Sequence, residues 1–252
     1  MLAEYLTNEI YAGFLIFCRV GMAMMVLPVF NSGYLSPRIR LVIAITISIV
    51  IAPLINNMPE VTANTTIMVY HIFSEIFIGF LIGSIARFIA VSIHVAGMIM
   101  TMQAALAQAV LFDPNQSAQG ALFGNFMELM AITLIFTFNL HHLMILAITD
   151  SYMVFPPAGS LPLGDFADAA IIAFSKSFVI GVQLAAPLIV AGLLVNLSSG
   201  LLARLMPSFQ VFFVIMPVQI MTSIFIFSAT LSAIMMWYMD YLHDAFSSFM
   251  TF

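Results

Sequence analysis

Long apolar runs dominate this chain, and short polar or proline-containing segments separate them. An apolar run of about 20 residues is long enough to cross a bilayer as a helix. The pattern therefore predicts an all-α membrane protein of about six long, kinked hydrophobic helices arranged as hairpins. The predicted spans are Ile10–Val29, Leu41–Ile55, Ile67–Met100, Phe123–Ile148, Phe166–Leu202 and Phe209–Met239.

The predicted spans are uneven in length. At 1.5 Å per residue, Leu41–Ile55 extends about 22 Å and Phe166–Leu202 about 55 Å, against a hydrocarbon core of about 30 Å. Pro187 and Pro217 each remove a helical hydrogen bond, which predicts kinks that divide long spans into two angled halves. Six equal crossings of a flat bilayer do not fit this pattern.

One polar segment, residues 101–125, interrupts the apolar pattern with glutamines, asparagines and a single charge, Asp113. Irregular backbone at membrane depth is tolerated only where protein buries it or where it borders a water-filled cavity. Pro114 disfavours helix at the residue before it, so Asp113 marks a turn. We therefore expect the function of the chain to lie in this segment.

Methionines flank the polar segment, with Met98, Met100 and Met102 before it and Met127 and Met130 after it. Methionine is unbranched and flexible, so it can close around an object of irregular shape. Two interpretations remain open for this cluster, namely a sealing or gating role and ordinary core filling.

Composition supports a membrane protein. The 252 residues are 63% apolar and 7% charged, and their mean hydropathy is +1.14, whereas soluble proteins are about 45–50% apolar and about 25% charged. The first positive side chain, Arg19, already lies in the first apolar run, so we expect no cleaved signal peptide. We also expect no nucleic-acid partner.

The arginines of the short connections predict an orientation. Arg38, Arg40 and Arg204 lie in connections, whereas the termini and the other connections carry no Lys or Arg. Positive loops stay in the cytoplasm. Both termini are therefore predicted to be periplasmic, and residues 101–125 to lie toward the cytoplasm.

Ionisable residues also occur inside the apolar runs, where an Arg, Lys or Asp costs about 2.5–3.5 kcal/mol at a helix centre. They need partners or water, which leaves two hypotheses: a proton or ion relay, or pairing between helices or subunits. Gly79 and Gly83 form a GxxxG step that allows close helix packing, within the chain or with another chain. The ionisable residues are Arg19, Glu75, Arg87, His94, Glu128 and Lys176.

Enzyme signatures are absent from the sequence, which contains no HExxH, no GxSxG and no phosphate-binding glycine loop. His141 and His142 are adjacent, so on a helix they point about 100° apart and do not form an i, i+4 ligand pair. We expect no catalytic residue, no metal and no cofactor.

A series of short motifs resembles FliR, the family of flagellar type III export gate proteins that also has members in virulence injectisomes. Each motif is weak alone, but their order and spacing run over essentially the whole chain. Ala104–Ala105 departs from the family, in which a glycine is expected after the glutamine. The motifs are Arg19, Pro28-x-Phe30, Pro37-Arg38-x-Arg40, Gly79-Phe80-x-x-Gly83, Gly97, Gln103, Asp113-Pro114, His141-His142, Pro156-Pro157-x-Gly159, Arg204-x-x-Pro207 and Pro217.

The resemblance implies a single-copy subunit of a helical hetero-oligomer with FliP and FliQ, in the inner membrane at the flagellar basal body. FlhB- and FlhA-type export components and unfolded flagellar export substrates are the further partners it implies. Residues 1–165 would be FliP-like, with four helices, and residues 166–252 a FliQ-like hairpin. Residues 107–122 resemble the plug of the export pore. The residues assigned to plug and gate are Gln103, Gln108, Leu111, Phe112, Asp113, Pro114, Asn115 and Gln116.

Two other classes of function remain as alternatives. A secondary transporter explains polar residues at mid-depth, but it predicts an inverted internal repeat, which the sequence does not show. A purely structural membrane scaffold explains the glycines and methionines but not the polar segment. Co-purification with two small hydrophobic subunits favours the export gate, whereas a lone chain that binds a small solute favours the transporter.

Overall fold

The computed structural model describes residues 2–30, 35–55, 58–62, 64–106, 122–157, 159, 163–206 and 211–249. The regular structure of these residues is helical, with a 3₁₀ helix at Ala52–Leu54 following the second of seven α-helices. In chain order the α-helices are α1 Leu2–Val26, α2 Pro37–Ile51, α3 Thr65–Gln103, α4 Leu122–Thr137, α5 Leu140–Val154, α6 Leu163–Leu205 and α7 Val211–Phe249.

The predicted fold class is confirmed. Among the described residues, α1, α2 with its 3₁₀ extension, α3, α6 and α7 are long and apolar enough to cross a membrane. The shorter helices α4 and α5 form a bent pair that adds a sixth span when it is counted as one.

The fourth predicted span, Phe123–Ile148, corresponds to a bent pair of helices rather than to one continuous helix. Helix α4 ends at Thr137 and α5 begins at Leu140. Between them Asn139 has a φ of 58°, in the left-handed region. Asparagine is one of the few residues that adopt this conformation routinely, and it interrupts the helix without a proline or glycine.

Neither Pro187 nor Pro217 ends its helix, and the kinks predicted at these prolines stay a prediction. Pro187 lies inside α6 and Pro217 inside α7, and both helices continue past the proline. Neighbouring helices and local adjustments can satisfy the backbone group that a proline leaves without a partner. With 43 residues, α6 extends about 65 Å, roughly twice the thickness of a hydrocarbon core.

The chain packs as two compact units. Unit 1 comprises Met1–Ile89, Phe138–Phe174 and His243–Phe252, and unit 2 comprises Ala90–Thr137 and Ser175–Leu242. The division predicted at residue 165 concerns likeness to other subunits rather than packing, and it stays a prediction.

In unit 1, α1 and the N-terminal part of α3 run parallel. The Tyr11 hydroxyl lies 3.1 Å from Nδ1 of His71. About three to four turns further along, a Cβ at Gly83 would lie 2.7 Å from the Cβ of Val26. The residue numbers of the contacting positions increase together in the two helices, so the helices run in the same direction. Helix α2, which packs on α1, lies in the connection between them.

In unit 2, the C-terminal part of α3 contacts the other three helices. Gly97 lies against the backbone of Gly124 in α4, and Gly181 of α6 lies against Val95. The Tyr238 hydroxyl of α7 donates to the Ala90 carbonyl over 3.4 Å. These contacts fix the part of α3 that leads to Gln103, where the polar segment begins.

The contact between α3 and α4 is sensitive to one added methyl group. A Cβ at Gly97 would lie 2.6 Å from the Gly124 nitrogen, whereas a Cβ at Gly124 would have no atom outside its own helix nearer than 3.8 Å. Gly97→Ala should therefore destabilise the protein by about 1–3 kcal/mol, as overpacking does. Gly124→Ala is the matched control and should be neutral or stabilising. Thermal unfolding of both variants in one detergent checks this, and equal midpoints would contradict it.

Candidate functional site

Arg19 of α1 and Glu75 of α3 form an ion pair in unit 1. The Arg19 Nε lies 2.6 Å from Oε2 of Glu75, and Nη2 donates to Oε1 over 3.0 Å. Both side chains are 0% exposed. Such a two-bond geometry matches the planar guanidinium to the carboxylate and gives a directional contact.

The remaining donors of Arg19 bind α5 and the residue after it. Nη1 donates to the carbonyl and the hydroxyl of Ser151, both over 3.2 Å, and Nη2 donates to the Phe155 carbonyl over 3.0 Å. The guanidinium carbon also lies 3.9 Å from the centroid of the Tyr152 ring. These hydrogen bonds equal in number the five N–H donors of arginine. One side chain thus joins α1, α3 and α5.

Gly79 brings the backbones of α1 and α3 close enough for this pair. A Cβ at Gly79 would meet the Arg19 carbonyl and would lie 3.0 Å from the Arg19 carbonyl carbon. A Cβ at Gly83, one turn later, would lie 3.0 Å from the Ala23 carbonyl oxygen. The GxxxG step therefore packs against α1 of the same chain.

The ion pair has the geometry of interhelical pairing. A proton relay needs a second titratable group in contact with Glu75, but within the described part of the chain Glu75 hydrogen-bonds Arg19 alone. The carboxylate of Glu75 balances the charge of Arg19, and the donors of Arg19 are used. The geometry supports a structural role for the pair.

At the other end of α3, a buried turn begins the path into the polar segment. The Ala104 N–H donates to the Met100 carbonyl over 2.9 Å and the Ala105 N–H to the Met102 carbonyl over 3.3 Å. Ala105 has a φ of 59° and is buried. A left-handed conformation costs a non-glycine residue about 1–2 kcal/mol. Ala104–Ala105 therefore lies at a turn where glycine is preferred.

Two residues of unit 2 hold this end of α3. The Gln219 side chain of α7, which is 9% exposed, donates from Nε2 to the Gln103 carbonyl over 2.7 Å. The Gln103 side chain lies over Gly192 of α6, where a Cβ would meet its Oε1 at 2.5 Å. Gln103 also lines an open groove of about 360 Å³ beside Asn196 and aliphatic residues of α6.

The predicted sealing methionines do not share one face. Met98 and Met102 are 52% and 65% exposed, whereas Met100 is 0% exposed and packs inside unit 2. Residues i and i+4 share a helix face, and residue i+2 points away from both. The structure thus leaves Met98 and Met102 free to contact another molecule, and Met100 is a core residue.

The other ionisable residues of the apolar helices differ in exposure. Arg87, His94 and Lys176 are exposed, and Glu128 is partly buried. Within the described residues, neither Arg87 nor Lys176 forms an ion pair. In lipid such charges are unfavourable. Their exposure on apolar helices indicates water, headgroups or another subunit beside them.

The three arginines that predict the orientation lie at helix ends. Arg38 is exposed near the start of α2, and Nη2 of Arg40 donates to the Leu35 carbonyl over 3.4 Å. Arg204 lies in the last turn of α6, where a cation complements the helix dipole. The orientation itself stays a prediction.

Most of the predicted plug lies outside the described residues. Of that set, Gln103 is described. The others, Gln108, Leu111, Phe112, Asp113, Pro114, Asn115 and Gln116, stay predictions. The described residues also contain no group of three or more His, Cys, Asp or Glu that could hold a metal ion.

Sequence reasoning missed the residues that complete both contacts. Ser151 and Tyr152 were not selected beside Arg19, nor Gln219 and Gly192 beside Gln103. A signal for Gln219 exists, because an uncharged amide in an apolar helix needs a hydrogen-bond partner. Ser151 carries little signal, since a serine in an apolar helix commonly bonds its own backbone.

The long apolar helices, the buried ion pair between them and the exposed charges define a polytopic membrane protein built by helix packing. Comparison with known proteins identifies the family of the chain. The model of the family described as bacterial export proteins, family 1, matches residues 10–245. The chain belongs to this family.

Relatives identify the branch of the family. Flagellar biosynthetic protein FliR of Caulobacter vibrioides is 36% identical over 236 residues, 92% of this chain and 93% of that protein. FliR of Bacillus subtilis is 28% identical over 87% of this chain and 86% of its own length. Yop proteins translocation protein T of Yersinia pestis is 27% identical over 87% and 85%. The chain is thus a FliR-type component of bacterial type III export, a transport component rather than a member of a known enzyme family.

The ion pair predicts an asymmetric response to mutation. Arg19→Met leaves the Glu75 carboxylate buried without its cation and should destabilise the protein by about 3–5 kcal/mol. Replacing both residues by methionine should recover much of this loss, because no buried charge then remains. Arg87→Met removes an exposed arginine and is the control, with an expected effect within about 0.5 kcal/mol.

The measurement is the thermal unfolding midpoint of each variant purified in the same detergent. A loss at Arg87→Met equal to that at Arg19→Met would contradict a specific role for the pair. A double variant less stable than either single variant would do so as well.

Proposed function

We propose that this chain is a core subunit of the flagellar type III export gate, in which it forms, in single copy with FliP and FliQ, the pore for unfolded flagellar proteins. The observation that carries the proposal is the match to FliR-type proteins over nearly the whole chain. FlhB- and FlhA-type components are the further partners. The 36% identity to a flagellar relative favours flagellar over injectisome service.

The surface of the helices supports assembly with other subunits. Only 17% of the most apolar window of α2, and of α7, is buried within the chain, against 50% for α1 and α3. Helix α6 is too long for lipid alone to cover. Arg87 of α3 and Lys176 of α6 are exposed. A charged side chain is more stable beside protein partners or water than in lipid.

Residues 107–122 are the proposed plug. They follow the turn at Ala105 and, by the predicted orientation, lie at the cytoplasmic entrance. Uncharged polar side chains are wetted easily and bind no substrate charge strongly, while Leu111 and Phe112 supply apolar bulk. Leu122 begins α4, so the replacement that tests the plug covers residues 107–121. Met98 and Met102, exposed on one face of α3, are the proposed sealing methionines.

Replacing residues 107–121 by glycine and serine at constant length should leave the complex assembled but make the membrane permeable to small solutes, because the obstruction is lost. The measurement is leak of a small dye from vesicles that hold the complex with FliP and FliQ. Residues 31–34, a connection on the same predicted side, receive the same replacement as a control. An assembled complex that stays tight rules out the plug, and a stable lone chain that binds a small solute favours the transporter.

The same proposal predicts where an export substrate touches the chain. A photo-crosslinking residue at Phe112 should capture a substrate stalled during export, because the plug lies beside the substrate path. Phe73, which is 59% exposed on α3, is the control position and should capture none. Crosslinks at Phe73 but not at Phe112 would show that the substrate path does not pass residues 107–122.

A further inference from the structure

The end of α3 depends on one side chain from another helix. The last four carbonyls of a helix have no partner within it. At this end the Met100 and Met102 carbonyls accept from the N–H groups of Ala104 and Ala105. The Gln103 carbonyl accepts instead from Nε2 of Gln219, over 2.7 Å.

The turn that follows is not one that its sequence favours. Ala105 holds a φ of 59°, which alanine adopts reluctantly because its Cβ approaches the following carbonyl. Residues in such conformations persist when the surrounding structure fixes them. Here the surrounding contacts are the buried position of Ala105, the Gln219 hydrogen bond, and Gly192, which leaves room for the Gln103 side chain.

We propose that Gln219 is a positioning residue for the gate. Its amide holds the last carbonyl of α3, keeps the left-handed turn at Ala105 in one conformation, and so sets the direction in which the chain leaves α3. Without this donor the Gln103 carbonyl lacks its partner, and the turn relaxes toward conformations that alanine prefers. This inference rests on the proposed plug function for its readout, and on the contacts of unit 2 for its geometry.

Two replacements of Gln219 separate the hydrogen bond from packing. Gln219→Met keeps a side chain of similar size but has no donor, and it should raise solute leak at every pH by about tenfold, the factor that corresponds to about 1.4 kcal/mol. Gln219→Glu keeps the shape. Its ionised carboxylate accepts only, whereas its protonated form donates. Leak through this variant should therefore be high at neutral pH and fall as the pH is lowered until the carboxyl is protonated.

The control is Gln183→Met on α6, an exposed glutamine that forms no hydrogen bond in the described part of the chain. It should leave leak unchanged. All variants are measured in the assembled complex with FliP and FliQ, reconstituted in vesicles of one composition, with assembly checked by co-elution. If Gln219→Met does not assemble, the pH dependence of Gln219→Glu decides.

The outcomes separate this inference from the proposed function. Leak from the 107–121 replacement together with a tight Gln219→Met complex overturns the role of Gln219 and leaves the plug standing. If neither the 107–121 replacement nor Gln219→Met makes the complex leak, both the plug and the role of Gln219 are overturned. Leak from Gln219→Glu that does not change with pH, or that the Gln183→Met control shares, shows an effect of packing and also overturns the inference.

Discussion

Charged and polar groups among apolar helices must find their partners inside the protein, because lipid offers none. Arg19 shows what this constraint does to the fold of unit 1. Its donors reach Glu75, Ser151 and the Phe155 carbonyl, so α1, α3 and α5 are held at one level. The bonds form only because Gly79 lets the two backbones approach. The glycine therefore sets the helix distance, and the ion pair sets the register.

The same constraint acts in unit 2 with uncharged groups. A helix that ends among other helices leaves carbonyls that need partners. At Gln103 the partner is an amide from α7, and the backbone turns at Ala105 immediately afterwards. A neutral amide makes a weaker contact than an ion pair. The Arg19 contact is thus the stronger of the two.

The sequence predicts helices better than contacts, for physical reasons. Apolar runs locate the long helices because the length of a span is a local property. The break at Asn139 was missed because one asparagine in an apolar run usually stays helical. Arg19 and Glu75 were each selected, yet 56 residues separate them, and no local pattern shows that they meet. The sequence also does not show which methionines are exposed, because Met100 differs from Met98 and Met102 only in the helix face it occupies.

The lengths and charges of the helices lead beyond the single chain. Helix α6 extends about 65 Å, so about half of it lies outside a hydrocarbon core of about 30 Å. Yet the exposed residues of α6 are largely apolar along its length, from Ile171 near one end to Leu205 at the other. Water does not favour such a surface, and lipid does not favour Lys176 on it. A protein surface that carries both apolar and polar groups satisfies both requirements. The surface of α6 therefore favours contact with further protein subunits, which the proposed function supplies.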